Sequence, residues 1–157
     1  MGIAGAQMTN AMKSLRKKKT VKVYKPEAFE VAVGDLAREL GIGVEYVLTK
    51  VGLEMHDEIV EKTPVDTGRA QASWNFTVDS VREESKPPGK YPSAKSDAKK
   101  GRDAESKKVT PASTVYITNN LPYILPLEHG HSGQAPNGMV STTVARFQEF
   151  VKDAVEK

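Results

Sequence analysis

Residues 62–74 read KTPVDTGRAQASW. Before this stretch the chain has helical periodicity, and after it the pattern alternates as in a strand. Pro64 stops the preceding helix, because the residue before a proline is pushed out of the α region. Asp66 is placed to accept backbone N–H groups from Gly68 and Arg69, as at a turn or helix N-cap. Gly68 permits a backbone geometry closed to other residues. Arg69 has the fork that can grip a carboxylate in bidentate fashion. Pro64, Asp66, Thr67, Gly68 and Arg69 thus form a structural elbow that explains itself without catalysis.

Working outward, Val44, Leu48, Val51, Met55 and Ile59 recur at helical spacing and predict an amphipathic helix ending at Thr63. Gly52 costs about 1 kcal/mol against alanine inside a helix, so it marks close packing against another element. Beyond the elbow, Trp74, Phe76 and Val78 alternate and predict a strand with those three side chains inward. Thr114–Thr118 is a second strand, bounded by Asn119-Asn120. Residues 139–155 predict one closing helix that buries Val140, Val144, Phe147, Val151 and Val155, with Phe150 and Ala154 beside them. Upstream, Phe29, Val31 and Val33 alternate as in a strand, and Asp35 resembles a helix N-cap before Leu36, Ala37 and Leu40. The expected fold is α+β: a small antiparallel sheet packed against a long central helix and a C-terminal helix.

Two segments lie outside that plan. Residues 83–108, a polar insertion, contain no Val, Leu, Ile, Met, Phe or Trp. They are expected to supply no core element, with a solvated helix near 94–106. The other segment is a basic arm, residues 1–25. Lys13, Arg16, Lys17, Lys18, Lys19, Lys22 and Lys25 carry seven positive charges with no acidic residue among them. The remaining 26–157, a single domain, has 16 basic and 20 acidic residues, or about −4. A basic arm on an acidic body suits contact with phosphates, with an acidic neighbour, or with solvent alone. Residues 1–20 lack apolar periodicity and are expected to be disordered or partly helical in isolation.

The 157 residues suit one domain, with 38% hydrophobic and 27% charged residues. No cysteine is present, which removes disulfides, thiolate metal sites and a Cys nucleophile. No run approaches the ~20 apolar residues of a membrane span, and the N-terminus lacks the order of a signal peptide. Met1-Gly2 opens like a myristoylation site, but Ala6 stands where Ser or Thr is required. The chain is expected to be soluble and without membrane contact.

Enzyme motifs are weak throughout. Glu128, His129 and His131, with His56 on the long helix, are the nearest approach to a metal site, yet no rigid i, i+4 ligand pair accompanies them. Ser73, Asp66 and His129 nominally make a triad, but no GxSxG elbow is present. Gly41-Ile42-Gly43 lacks the third glycine of a dinucleotide fingerprint, and no Lys-Ser/Thr follows Gly68 as in a phosphate loop. The expectation is no enzyme, no metal and no cofactor.

Two segments together resemble a known family. TPVDTGRAQASW (63–74) and VYITNNLPYILPLEHGHSGQAPNGMVSTTVARFQEF (115–150) are similar to the neck or tail-completion proteins of lambda-like tailed bacteriophages. The shared order is a helix, P-V-D-T-G-R into a strand, T-N-N-x-P-Y, L-E-x-G-x-S, Q-A-P-x-G-M-V and a closing helix, over roughly residues 28–155. The basic arm and the insertion depart from that pattern.

The resemblance implies a virion structural protein at the head–tail junction, assembled in the host cytoplasm. It implies a homo-oligomeric ring, sixfold in first expectation and twelvefold as the rival, joining the tail end to the head-side connector. Ring contacts of this kind are heterologous. Asn119, Asn120, Tyr123, Glu128, Gly130 and His131 would shape a loop presented to neighbours. The arm would embrace an adjacent subunit or face packaged DNA. The alternative from another class is a small nucleic-acid-binding protein acting through the arm, with affinity that falls steeply as salt rises.

Overall fold

The computed structural model describes Gly41 and residues 43–156. The basic arm, the alternating segment 28–33 and the short helix expected after Asp35 lie outside the described residues. Within them the order is α1 (Val44–Lys62), α2 (Arg69–Ala72), β1 (Asn75–Val78), α3 (Ala94–Ser106), β2 (Val115–Thr118), α4 (Ile124–Glu128), α5 (Val140–Val144) and α6 (Phe147–Glu156). The fold is α+β. β1 and β2 pair antiparallel, with Asn75 opposite Thr118 and Phe76 opposite Ile117.

The long helix α1 is the spine. Val47 and Val51 meet Phe150, Val151 and Ala154 of α6, with Val44, Met55, Phe147 and Val155 around them. Farther along, Ile59 and Val60 join Trp74, Ala98, Ala135 and Met139 in a second cluster. The buried line therefore runs through Val47, Val51, Gly52, His56, Ile59 and Val60. It is rotated from the expected stripe, which had Val44, Leu48 and Met55 in place of Val47, Gly52 and His56. Gly52 does mark close packing: a Cβ there would stand 3.1 Å from the Phe76 ring and 3.5 Å from Val115.

Three expectations are corrected. The strand after the elbow begins at Asn75, and a one-turn helix, α2, precedes it. Trp74 and Phe76 are buried as expected, but Thr77 is buried too and Val78 only partly. Both faces of this short strand are covered, one of them by α3.

The closing helix is two helices, α5 and α6, separated at Ala145 and Arg146. The Thr142 hydroxyl donates back to the Gly138 carbonyl at 3.1 Å, and the Thr143 hydroxyl to Met139 at 2.8 Å. Arg146 N–H then closes a three-residue turn onto Thr143 at 3.0 Å. Hydroxyl back-bonding of this sort competes with the helical ladder and bends it.

The third correction concerns the insertion. It does contribute to the core, through α3. Ala94, Ala98 and Arg102 are all buried, spaced four apart on one face. Alanines let the helix backbone approach closely, and Ala98 enters the second cluster. Arg102 Nη1 donates to the Leu53 carbonyl at 2.7 Å and pairs with Asp57 at 2.8 Å. A helix that packs through alanine and a matched arginine leaves no run of large apolar residues for a sequence pattern to find.

Candidate functional site: the elbow and the loop that meets it

The elbow is built from backbone. Pro64 is buried at the end of α1, and the Thr63 hydroxyl donates to the Ile59 carbonyl at 2.7 Å while accepting the Trp74 indole N–H at 2.8 Å. That pair of bonds ties the helix end to the start of the strand. Gly68 has φ +81° and sits against the insertion: a Cβ on it would come 2.4 Å from the Tyr91 carbonyl oxygen. Tyr91 N–H in turn donates to the Thr67 carbonyl at 2.7 Å. Only glycine satisfies both the left-handed backbone and the close approach.

Two roles expected at the elbow fall to other atoms. Asp66 is exposed, and it is the Thr67 hydroxyl that accepts Arg69 N–H, at 3.3 Å. A hydroxyl one residue nearer reaches this N–H in the turn that Gly68 makes. Arg69 grips a carbonyl instead of a carboxylate: its Nε donates to Lys86 O at 2.8 Å. The insertion's first segment is thereby laid along the elbow. Ser73 Oγ, buried, accepts Lys86 N–H at 3.2 Å, so this hydroxyl anchors the same segment.

The loop after β2 meets the elbow from the other side. Gln134 makes two bonds to Val65, accepting its N–H at 2.9 Å and donating to its carbonyl at 3.1 Å. Asn119 Nδ2 donates to Ala70 O at 2.9 Å, and its Oδ1 accepts Leu121 N–H at 3.2 Å. Between the two segments lies an open cleft of ≈ 280 Å³ bordered by Val65, Asp66, Arg69, Tyr123, Leu127 and Ser132. Val65, Tyr123 and Leu125 are large apolar residues left exposed here or on the adjoining turn.

The six expected loop residues divide. Tyr123 and His131 are exposed, and so is Asn120, whose amide donates to Arg82 O at 3.0 Å. Asn119, Glu128 and Gly130 shape the loop from within, by bonds or close contacts to the rest of the fold. Glu128 accepts Met139 and Val140 N–H on one oxygen and Ser141 N–H on the other, each at 2.8 Å. Its carboxylate caps α5, satisfying N–H groups that a helix start leaves orphaned. Partial burial by itself would raise the Glu128 pKa, but bonds from Ser141, Val140 and Met139 outweigh it and hold the carboxyl below its ordinary value. Gly130 has φ +84°, and a Cβ on it would stand 2.4 Å from the Pro136 carbonyl oxygen.

His56 belongs to the core. It is 1% exposed, edge-on to Phe76 with ring centroids 6.1 Å apart. Burial, with the Arg102 guanidinium adding to it, lowers its pKa to about 4 against the pull of the Trp74 carbonyl and Asp103. A neutral imidazole locked there stands apart from the exposed His129 and His131. Among the described residues no group of three or more His, Asp or Glu is arranged to hold a metal ion, and no helix is long and apolar enough to cross a membrane.

Sequence reasoning passed over Gln134, Tyr91 and Arg102. Gln134 stood within the quoted QAP motif with no role attached. Tyr91 follows Pro87-Pro88-Gly89, a turn signal whose consequence is the Tyr91 hydroxyl bond to Pro87 O at 2.6 Å. Comparison of the chain with protein-family models, with curated proteins and with solved structures finds no match in any of the three.

Proposed function

We propose that this chain is a structural protein of a tailed-bacteriophage virion. Copies form a ring at the head–tail junction, complete the tail end and join it to the head-side connector. The chain has no enzymatic role in this reading and needs no cofactor.

One observation carries the proposal. The two segments whose residues resemble the neck family, 63–74 and 115–150, come together as one unit through the Gln134–Val65 and Asn119–Ala70 bonds. An ordered set of motifs that meets in space supports a shared architecture better than scattered matches. Thr67, Arg69 and Ser73 are engaged with backbone groups, which favours a joint over a catalytic centre. The exposed Tyr123 beside the elbow is of the aromatic type enriched where subunits meet, and Val65 and Leu125 add exposed apolar surface.

Native mass measurement of the purified full chain tests this reading. A closed assembly of six or twelve copies is expected. A chain that stays monomeric at every concentration overturns it.

A further inference from the structure

Charge is segregated along the sequence. Residues 83–108 hold eight basic and five acidic residues, or +3, whereas 26–157 as a whole is −4. Without the insertion the body would stand at −7. The insertion is therefore a second basic element, distinct from the N-terminal arm.

Five of the seven lysines of that element make no ion pair among the described residues. Ala94, Ala98 and Arg102 face inward on α3. At about 100° per residue, Lys100 and Lys107 fall on the opposite, outward face, with Lys99 at its edge. All three are exposed, and none has a carboxylate within ion-pair distance among the described residues, unlike Lys95 with Glu61 and Lys108 with Glu105. Lys86 and Lys90, exposed on the preceding loop, also lack such a partner.

The acidic counterpart is elsewhere on the molecule. On α6, Phe150, Val151 and Ala154 face α1. Glu149, Asp153 and Glu156, spaced i, i+4, i+7, form an exposed acidic stripe on its outer face. Arg146 and Lys152 pair with the two ends of that stripe, and Asp153 has no cation partner among the described residues. α1 separates the two surfaces. It meets α6 through Val47 and Val51 and meets α3 through Leu53, Asp57 and Glu61. At about 100° per residue, positions 47 and 51 are centred roughly 100° around α1 from positions 53, 57 and 61, and about 12 Å nearer its start, so α6 and α3 occupy different sides and different lengths of α1.

We infer that the polar insertion is a docking element: the basic outer face of α3 binds the acidic outer face of α6 on a second copy of this chain. Opposite charges carried on two different faces of one molecule meet head to tail between copies. That is a heterologous contact, which repeats into a ring when its rotation closes. A protein face is favoured over a nucleic acid because Asp97 and Asp103 interrupt the lysines on α3. Polyphosphate would be repelled by those carboxylates, while a mixed-charge face of the same chain carries matching cations. This inference rests on the self-assembly proposed above and names the surfaces that drive it.

Sedimentation of the full chain in about 0.05 M and about 0.5 M salt tests it, since screening shortens the reach of such contacts. Two variants carry the test: Lys99→Glu with Lys100→Glu and Lys107→Glu, and Asp153→Lys with Glu156→Lys. Thermal unfolding verifies that each is folded, as expected for exposed positions. The wild type is expected to associate and to weaken with salt. Each variant alone should associate at least about tenfold more weakly, and an equimolar mixture of the two, or the combined variant, should recover association.

A wild type that assembles while both variants assemble equally well overturns the inference but leaves the ring intact. So does a combined variant that fails to recover, or a loss confined to binding of a short double-stranded DNA probe. A wild type that never associates overturns both the ring and this contact.

Discussion

Acid should unfold this protein through one histidine. His56 is buried and neutral, with its pKa lowered from 6.5 to about 4. Between those values the unfolded chain binds a proton that the folded chain refuses. Stability therefore rises with pH across this window, and acidification removes it. At about 1.4 kcal/mol for each pKa unit, the gap between 6.5 and about 4 is worth about 3 kcal/mol. The loss begins as pH falls below 6.5 and is complete below 4.

Two carboxyls act near the lower end. Glu128, held low, adds a loss of its own as it protonates. Asp57 is raised by burial against the pull of Arg102 and Lys99, and it works the other way, holding its proton more firmly in the folded chain. Urea unfolding from pH 7 to pH 4 measures the slope. The substitutions His56→Leu and His56→Gln should each flatten it, by about 3 kcal/mol over the range, whatever they do to stability at pH 7. Wild-type and variant slopes that coincide would refute the assignment of the acid limb to His56.

Gly68→Ala forces a Cβ against the Tyr91 carbonyl and places alanine at φ +81°. It should cost about 2 kcal/mol or more, read as a lower midpoint in thermal unfolding; an unchanged midpoint would contradict the elbow geometry. Arg102→Met should cost about 1 kcal/mol by removing the guanidinium's bond to the Leu53 carbonyl, which keeps its own helical donor, and its ion pair with Asp57. Asp57→Asn should cost less, because Asp57 is 51% exposed. The same Arg102 variant should also make residues 94–106 more accessible to protease, whereas a merely solvated insertion would be cut equally in both proteins.

The parts of the fold readable in advance are those where one residue type has one use. Gly52 inside an apolar helix meant a close neighbour, and Phe76 is that neighbour. Gly68 after Pro-Val-Asp-Thr meant a left-handed turn, and φ is positive there. Alternation gave the two short strands within a residue or so of their ends.

What escaped are interactions between residues distant in sequence. Asn119, Glu128 and Gln134 look like surface residues of a polar loop, yet each completes a backbone hydrogen-bond pattern at least eleven positions away or across the elbow. Nothing local separates an asparagine that will bond Ala70 from one that will face water. The insertion was misjudged for a related reason. Core membership was sought in large apolar side chains, whereas α3 packs through Ala94, Ala98 and an arginine whose charge is met by Asp57 on another helix. His56 shows the reverse: its histidine suggested a ligand, and tertiary packing made it core.

In the proposed reading, copies of this chain form a ring at the neck of a tailed particle. Imaging of purified tailed particles from the source of this chain, with symmetry-averaged density at the head–tail junction, tests it most directly. A sixfold or twelvefold ring is expected, into which the elbow, the loop and helices α3 and α6 fit. Particles whose neck contains no copy of this chain would contradict it.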